Sequence, residues 1–240
     1  MNNAELVIKE LKKVSNKTKA GFLQKYFKTG VGEYGEGDIF IGVTVPVMRS
    51  VARVHKDIEL PEVLKLLSSE IHEHRFVALE ILVFKYEQAT KLKNSAQQKK
   101  IFNFYIKNKK YINNWDLVDT SVEYIVGVYL EHLDKDILYT LAKSKRIWDR
   151  RIAVIATFAY IKKGEFKESL KIIEMLMQDT HDLIHKACGW MLREIGKRFK
   201  ETEVAFLAQH YKTMPRTMLR YSIEHFSRDE RDFYLHKIKM

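Results

Sequence analysis

The sequence predicts an all-α fold in which one helix follows another with little to interrupt them. Three observations carry that prediction. The 240 residues include only 3 prolines and 10 glycines, far fewer breakers than the tight turns of a strand-rich fold require. Apolar residues recur at helical spacing along most of the chain. The composition, 46% hydrophobic and 30% charged, is that of an ordinary soluble globular protein long enough to bury a sizeable core.

Taken in order, residues 4–14 and 18–28 read as two short amphipathic helices, the second carrying Phe22, Leu23, Tyr26 and Phe27. A glycine-rich stretch follows, from Gly30 to Asp38. Gly30, Gly32 and Gly35 match the G-x-G-x-x-G pattern, but that fingerprint has meaning only after a strand and at the mouth of a helix. Here a helix precedes it and Phe40-Ile41-Gly42-Val43 follows, so a nucleotide site is rejected and the stretch reads as a surface connection. Pro46 suits the first turn of the next helix, and Val47, Met48, Val51, Ala52 and Val54 follow at helical spacing. Further helices are expected at 61–68, 72–88, 95–108, 114–131, 134–143, 147–162, 167–177, 181–199, 201–211, 215–225 and 228–238.

Small residues then fall into register. Ala78, Ser121, Ala153 and Ala187 occupy matching positions, separated by 43, 32 and 34 residues, and Ser222 continues the series 35 further on. Periods of this length with two helices each mark HEAT-like helical repeats, whose pairs bury their apolar faces by stacking into a solenoid. With no strong linker, residues 1–240 are expected to form a single domain. Asp119, Arg151 and His185 precede the small residue in successive repeats, so an acid, a guanidinium and an imidazole are expected along one surface.

The most informative stretch is Tyr111-Ile112-Asn113-Asn114-Trp115-Asp116-Leu117-Val118-Asp119. Its asparagines can cap a helix, and Trp115 and Asp119, four apart, share a helical face. Packing alone would more cheaply place Leu and Lys there. The net charge of +11 points to an acidic partner such as nucleic acid. Indoles stack on bases, Lys and Arg neutralise phosphates, and a carboxylate beside DNA makes sense where positive charge develops, as in a sugar oxocarbenium ion. The same residues also have plain readings: Asp119 as a cap or an Arg150 or Arg151 partner, Trp115 and Trp190 as core, Arg151 as a surface salt bridge. His181 and His185 form H-x-x-x-H, but without the Glu of H-E-x-x-H no metal site is expected.

The lone Cys188 excludes an intramolecular disulfide and fits a reducing compartment. The first residues lack the pattern of a signal peptide, and no apolar run approaches the roughly 20 residues of a membrane span. A cytoplasmic or nucleoid-associated protein without membrane contact is expected.

Several segments together resemble the bacterial AlkD family of DNA alkylation-repair glycosylases, over roughly Leu6 to Phe226. They are Tyr26-Phe27-Lys28-Thr29-Gly30, Gly35-Glu36-Gly37-Asp38, Asn114-Trp115-Asp116-Leu117-Val118-Asp119, Trp148-Asp149-Arg150-Arg151 and Lys186-Ala187-Cys188-Gly189-Trp190-Met191-Leu192-Arg193-Glu194. The resemblance implies a HEAT-like fold that cradles duplex DNA on a basic concave face and excises N3- and N7-alkylated purines, with no metal or organic cofactor and no obligate protein partner. It further implies Asp119 as the catalytic carboxylate, Trp115 and Trp190 beside the lesion, and Arg151 on the nearby phosphate with Arg150 as its neighbour. Other basic groups expected on DNA are Lys109, Lys110, Lys145, Arg146, Lys186, Arg193, Lys197 and Arg216. The competing expectation is a non-catalytic HEAT-like scaffold that binds nucleic acid or protein.

Overall fold

The computed structural model describes residues 3–236. Among them the fold is all-α: there is no strand, and the nearest approach to one is an isolated bridge between Ile39 and Ile71. No described helix is long and apolar enough to cross a membrane. One compact unit ends at Ile125 and a second begins at Val126.

The first unit contains α1 (Ala4–Lys13), α2 (Lys17–Tyr26), α3 (Val45–Val54), α4 (Leu60–Leu67), α5 (His72–Lys91), α6 (Ser95–Asn108) and α7 (Trp115–Asp119). Asparagine side chains start several of them: Asn3 accepts from the Leu6 amide, Asn16 from Lys19 and Asn94 from Gln97. Each such cap satisfies an amide that the helix itself cannot, typically stabilising by about 1 kcal/mol. The expected proline start is present too, with Pro46 in the first turn of α3. The centre is α5, packed against α3, α4 and α6. Phe76, Val77, Ala78, Leu79, Ile81 and Leu82 are all buried on it, so apolar residues cover nearly its whole circumference. Polar side chains buried on such a helix require partners. Those of α5 build the site described below.

The second unit contains α8 (Val128–Leu130), α9 (Asp136–Ala142), α10 (Ile147–Ala156), α11 (Phe158–Ile161), α12 (Lys167–Leu176), α13 (Asp182–Gly196), α14 (Lys200–His210), α15 (Arg216–Ser222) and α16 (Arg228–His236). Here α10, α13 and α15 pack in succession, while α9 lies on α10, α14 on α13, and α12 against both α10 and α13. That two-layer succession is the HEAT-like pattern. The last expected helix, 228–238, ends beyond the described residues.

Two expected helices are broken. The stretch 114–131 stops at Asp119 and resumes through a π-helical turn, Glu123–Gly127, before α8. The stretch 147–162 divides at Thr157 into α10 and α11. Hydroxyls explain both. Ser121 Oγ donates to the Leu117 carbonyl at 2.7 Å, and Thr157 Oγ1 donates to the Val154 carbonyl at 2.7 Å. Such back-bonding competes with the helical ladder and bends or interrupts it. Apolar periodicity continues across each break because the same side of the chain stays buried.

The small-residue register is visible as burial: Ala78, Ser121, Ala153, Ala187 and Ser222 are all at most 1% exposed. Beside Ala187, the Cys188 thiol is buried, and burial pushes its pKa far above the ordinary range. Gly189 marks a close approach of α13 and α15. A Cβ there would lie 2.5 Å from the Met218 carbonyl oxygen and 2.5 Å from Tyr221 Cβ. Gly189→Ala is therefore expected to destabilise by about 1–3 kcal/mol through overpacking. Urea unfolding checks this; a midpoint equal to that of the unsubstituted protein would mean that the two helices can part without cost.

Candidate active site

The helix bearing Trp115 and Asp119 has only five residues, well short of the length at which a helix stands by itself. Its first turn is fixed locally, since Asn114 Oδ1 accepts from the Trp115 amide and Asp116 Oδ1 from the Leu117 amide, both at 2.9 Å. The remaining support is tertiary.

It begins with Asp38, at the end of the glycine-rich stretch and 2% exposed. Its carboxylate accepts from Asn113 Nδ2 at 2.9 Å, Asn114 Nδ2 at 3.3 Å and His72 Nδ1 at 3.0 Å, and pairs with Arg75 Nη2 at 2.5 Å. The far nitrogen of the same imidazole, His72 Nε2, donates to Asp116 Oδ2 at 2.7 Å. A ring donating from both nitrogens to two carboxylates is an imidazolium. Burial opposes that charge, but Asp116 and then Asp38 outweigh it and raise the His72 pKa to about 9. For Asp38 burial again works toward neutrality, and the His72 hydrogen bond and Arg75 charge hold its pKa below the ordinary value.

The stretch read as a surface connection thus ends in a buried hub. Gly35 is needed there, because a Cβ would lie 2.5 Å from the Phe27 carbonyl oxygen and 3.2 Å from Asn114 Nδ2. The next residues are pinned by Glu73, whose Oε1 accepts from the amides of Ile41, Gly42 and Val43 at 3.0, 2.7 and 3.2 Å.

Aromatic rings make a second connection. Phe40 stacks on the His72 ring at 4.3 Å between centroids, and Phe27 lies on Phe40 at 4.8 Å. Phe27 also stacks on Trp115 at 5.2 Å and 13°, while Tyr26 meets Trp115 edge-on at 6.3 Å. Beside this group is a mostly apolar cavity of about 390 Å³ with His72 and Asp116 in its wall.

Asp119 closes the short helix and is partly exposed. The next residue, Thr120, donates to Glu80 of α5, and Glu80 also accepts from Arg49 Nε at 3.1 Å. Arg49 is half-exposed, and no motif in the sequence marks it. Lys109 and Lys110 form a 3₁₀ turn shortly before α7, with Lys110 over the Tyr111 ring.

In the second unit most expected DNA contacts already have protein partners. Arg150 pairs with Asp179 and donates to the Ser144 and Lys145 carbonyls. Arg146 binds Asp149, Lys186 Asp182, Arg193 Glu224, Lys197 Glu194, and Arg216 the Leu235 carbonyl. Arg151, expected along one surface with Asp119 and His185 or else as a surface salt bridge, is in fact buried: it is 5% exposed and donates to the Leu183 carbonyl at 2.6 Å, because its helix packs directly on α13. Trp190 is half-buried against Phe158 at 5.6 Å. His181 accepts from the Leu183 amide, and His185 Nε2 is 2.5 Å from the Asp179 carbonyl oxygen.

The model of a family described as DNA alkylation repair enzyme matches residues 7–226. The chain belongs to that family. No curated protein matches it. Among solved structures, a predicted DNA alkylation repair enzyme from Enterococcus faecalis is 16% identical with a TM-score of 0.65, covering 89% of this chain and 97% of its own. AlkD2 from Streptococcus mutans is also 16% identical, with a TM-score of 0.50 and coverage of 92% and 98%. At these identities the likeness is one of fold.

For this DNA alkylation repair family member, the charged hub has a consequence for stability. The His72 ring is charged when folded up to pH about 9, whereas an unfolded histidine titrates near 6.5. Its stabilisation is therefore complete below about pH 6.5 and lost as pH rises through 9. Asp38, with its lowered pKa, behaves oppositely and loses its contribution on acidification. Unfolding free energy is expected to fall by about 1–3 kcal/mol between pH 7 and 10, and by less in His72→Gln. Identical slopes for the two proteins would show that His72 is not the titrating group.

Proposed function

We propose that the protein is a monofunctional DNA glycosylase that hydrolyses the N-glycosidic bond of cationic N3- and N7-alkylated purines, such as 3-methyladenine and 7-methylguanine, in duplex DNA. The reading rests on membership of a DNA alkylation repair family. The observation that carries it to a site is the Trp115–Asp119 helix, an indole and a carboxylate held by a buried charged hub.

An alkylated purine of this kind already carries positive charge, so it leaves without a general acid. One carboxylate then suffices where a neutral glycoside needs two. As the C1′–N bond breaks, its electron pair passes to the base and neutralises it, while positive charge grows on the sugar. Asp119 stabilises that charge and orients a water, whose oxygen bonds to C1′ and whose proton is released. Trp115 borders the deoxyribose and offers its π face to the cation. Trp190 and Arg151 of the second unit are assigned to the same DNA, the guanidinium on a backbone phosphate. Arg151 is buried, so this role requires its phosphate to reach a sheltered guanidinium.

The test is release of free base. Methylated duplex DNA incubated with the protein is expected to yield 7-methylguanine and 3-methyladenine above the spontaneous rate. Duplex binding without any release would instead identify a non-catalytic HEAT-like scaffold.

A further inference from the structure

We propose that His72 is a positioning residue for the reaction: with Asp38 and Asp116 on its two ring nitrogens, it fixes the short helix that presents Trp115 and Asp119. This deepens the glycosylase reading and rests on it for its kinetic consequence.

Three observations converge. First, α5 holds α7 at both ends from a single face, because His72 and Glu80 are eight residues apart, about two helical turns. His72 takes Asp116 in the first turn, and Glu80 takes the Thr120 hydroxyl immediately after Asp119. Second, the same imidazole reaches Trp115 by another route, through Phe40 and Phe27, so main chain and indole are held from one ring. Third, Asp38 on its other nitrogen also receives Asn113 and Asn114, the two residues that lead into α7. A core histidine that only filled space would not require two carboxylates, since each buried charge must be offset by the other.

The placement matters because a displacement of about 1 Å in a catalytic group can cost roughly a hundredfold in rate. With α7 too short to hold its own shape, removal of His72 frees both Asp116 and the ring stack. The adjoining cavity, which has His72 and Asp116 in its wall, offers a route by which free imidazole can refill the vacated space.

The experiment compares the unsubstituted protein with His72→Ala, His72→Gln and Asp116→Asn. Base release is followed in single turnover, duplex affinity by titration, and the Trp115 indole N–H by NMR, assigned through Trp115→Phe. For His72→Ala we expect duplex affinity within about twofold of the unsubstituted protein, release slowed by about tenfold or more, and a moved Trp115 resonance. Millimolar imidazole is expected to restore both the rate and the resonance. A folded His72→Ala with unchanged resonance and unchanged rate overturns the proposal, as does a slowed variant that imidazole leaves slow. If His72→Ala does not fold, His72→Gln and Asp116→Asn decide on the same readouts, and unchanged values in both overturn it. If the unsubstituted protein releases no base, the glycosylase reading fails, and the Trp115 resonance alone still decides whether His72 positions the helix.

Discussion

Asp119→Asn is expected to slow release of alkylated purines by about 10²–10³-fold while leaving duplex affinity within a factor of two. The substitution keeps the shape and hydrogen-bonding size of the side chain but removes its charge. Ground-state DNA gains little from a carboxylate, which is repelled by phosphate. Only the sugar that becomes cationic as its base departs is stabilised, so the loss falls on the rate and not on binding. Single-turnover kinetics with methylated duplex, together with a binding titration, measure the two separately. A fully active Asp119→Asn would remove the carboxylate from the mechanism. A proportional loss of affinity would make Asp119 a DNA contact and not a charge stabiliser.

The largest stability effect is expected at Asp38. Asp38→Ala leaves the imidazolium of His72 and the guanidinium of Arg75 buried without their shared carboxylate, and removes the acceptor for Asn113 and Asn114. Breaking a buried charge pair by deleting one partner typically costs about 3–5 kcal/mol. For a protein of this size that corresponds to a drop of about 10 °C in melting temperature. Asp38→Asn, which retains an acceptor, is expected to lose less. Calorimetry of both variants checks the ordering, and equal melting temperatures would show that the hub tolerates an unpaired cation.

Local sequence patterns made much of this molecule legible. The helices followed from apolar spacing and capping asparagines, and Trp115 and Asp119 could be assigned to one face because they are four apart. The register of Ala78, Ser121, Ala153, Ala187 and Ser222 also has a structural counterpart, because a position packed against neighbouring helices admits only small side chains. The hub was not legible for an equally physical reason. Asp38 and His72 are 34 residues apart, His72 and Asp116 are 44 apart, and Glu80 and Thr120 are 40 apart, so no periodicity links them. The available signal was His72-Glu73-His74-Arg75, four consecutive polar residues directly before Phe76–Phe84, a stretch in which only Glu80 is not apolar. For Arg151 the register identified an equivalent position, but not that this position is sheltered by the next helix.

The burial of Cys188 bears on how this protein survives its surroundings. Electrophiles that methylate a purine ring nitrogen also methylate thiolates, and a thiolate is the reactive form of cysteine. The only sulfhydryl of this chain is enclosed between packed helices and kept protonated by that enclosure. A molecule of the alkylation-repair family thus offers no ready thiolate to the reagents that create the damage, and a cysteine introduced at its surface can be labelled selectively.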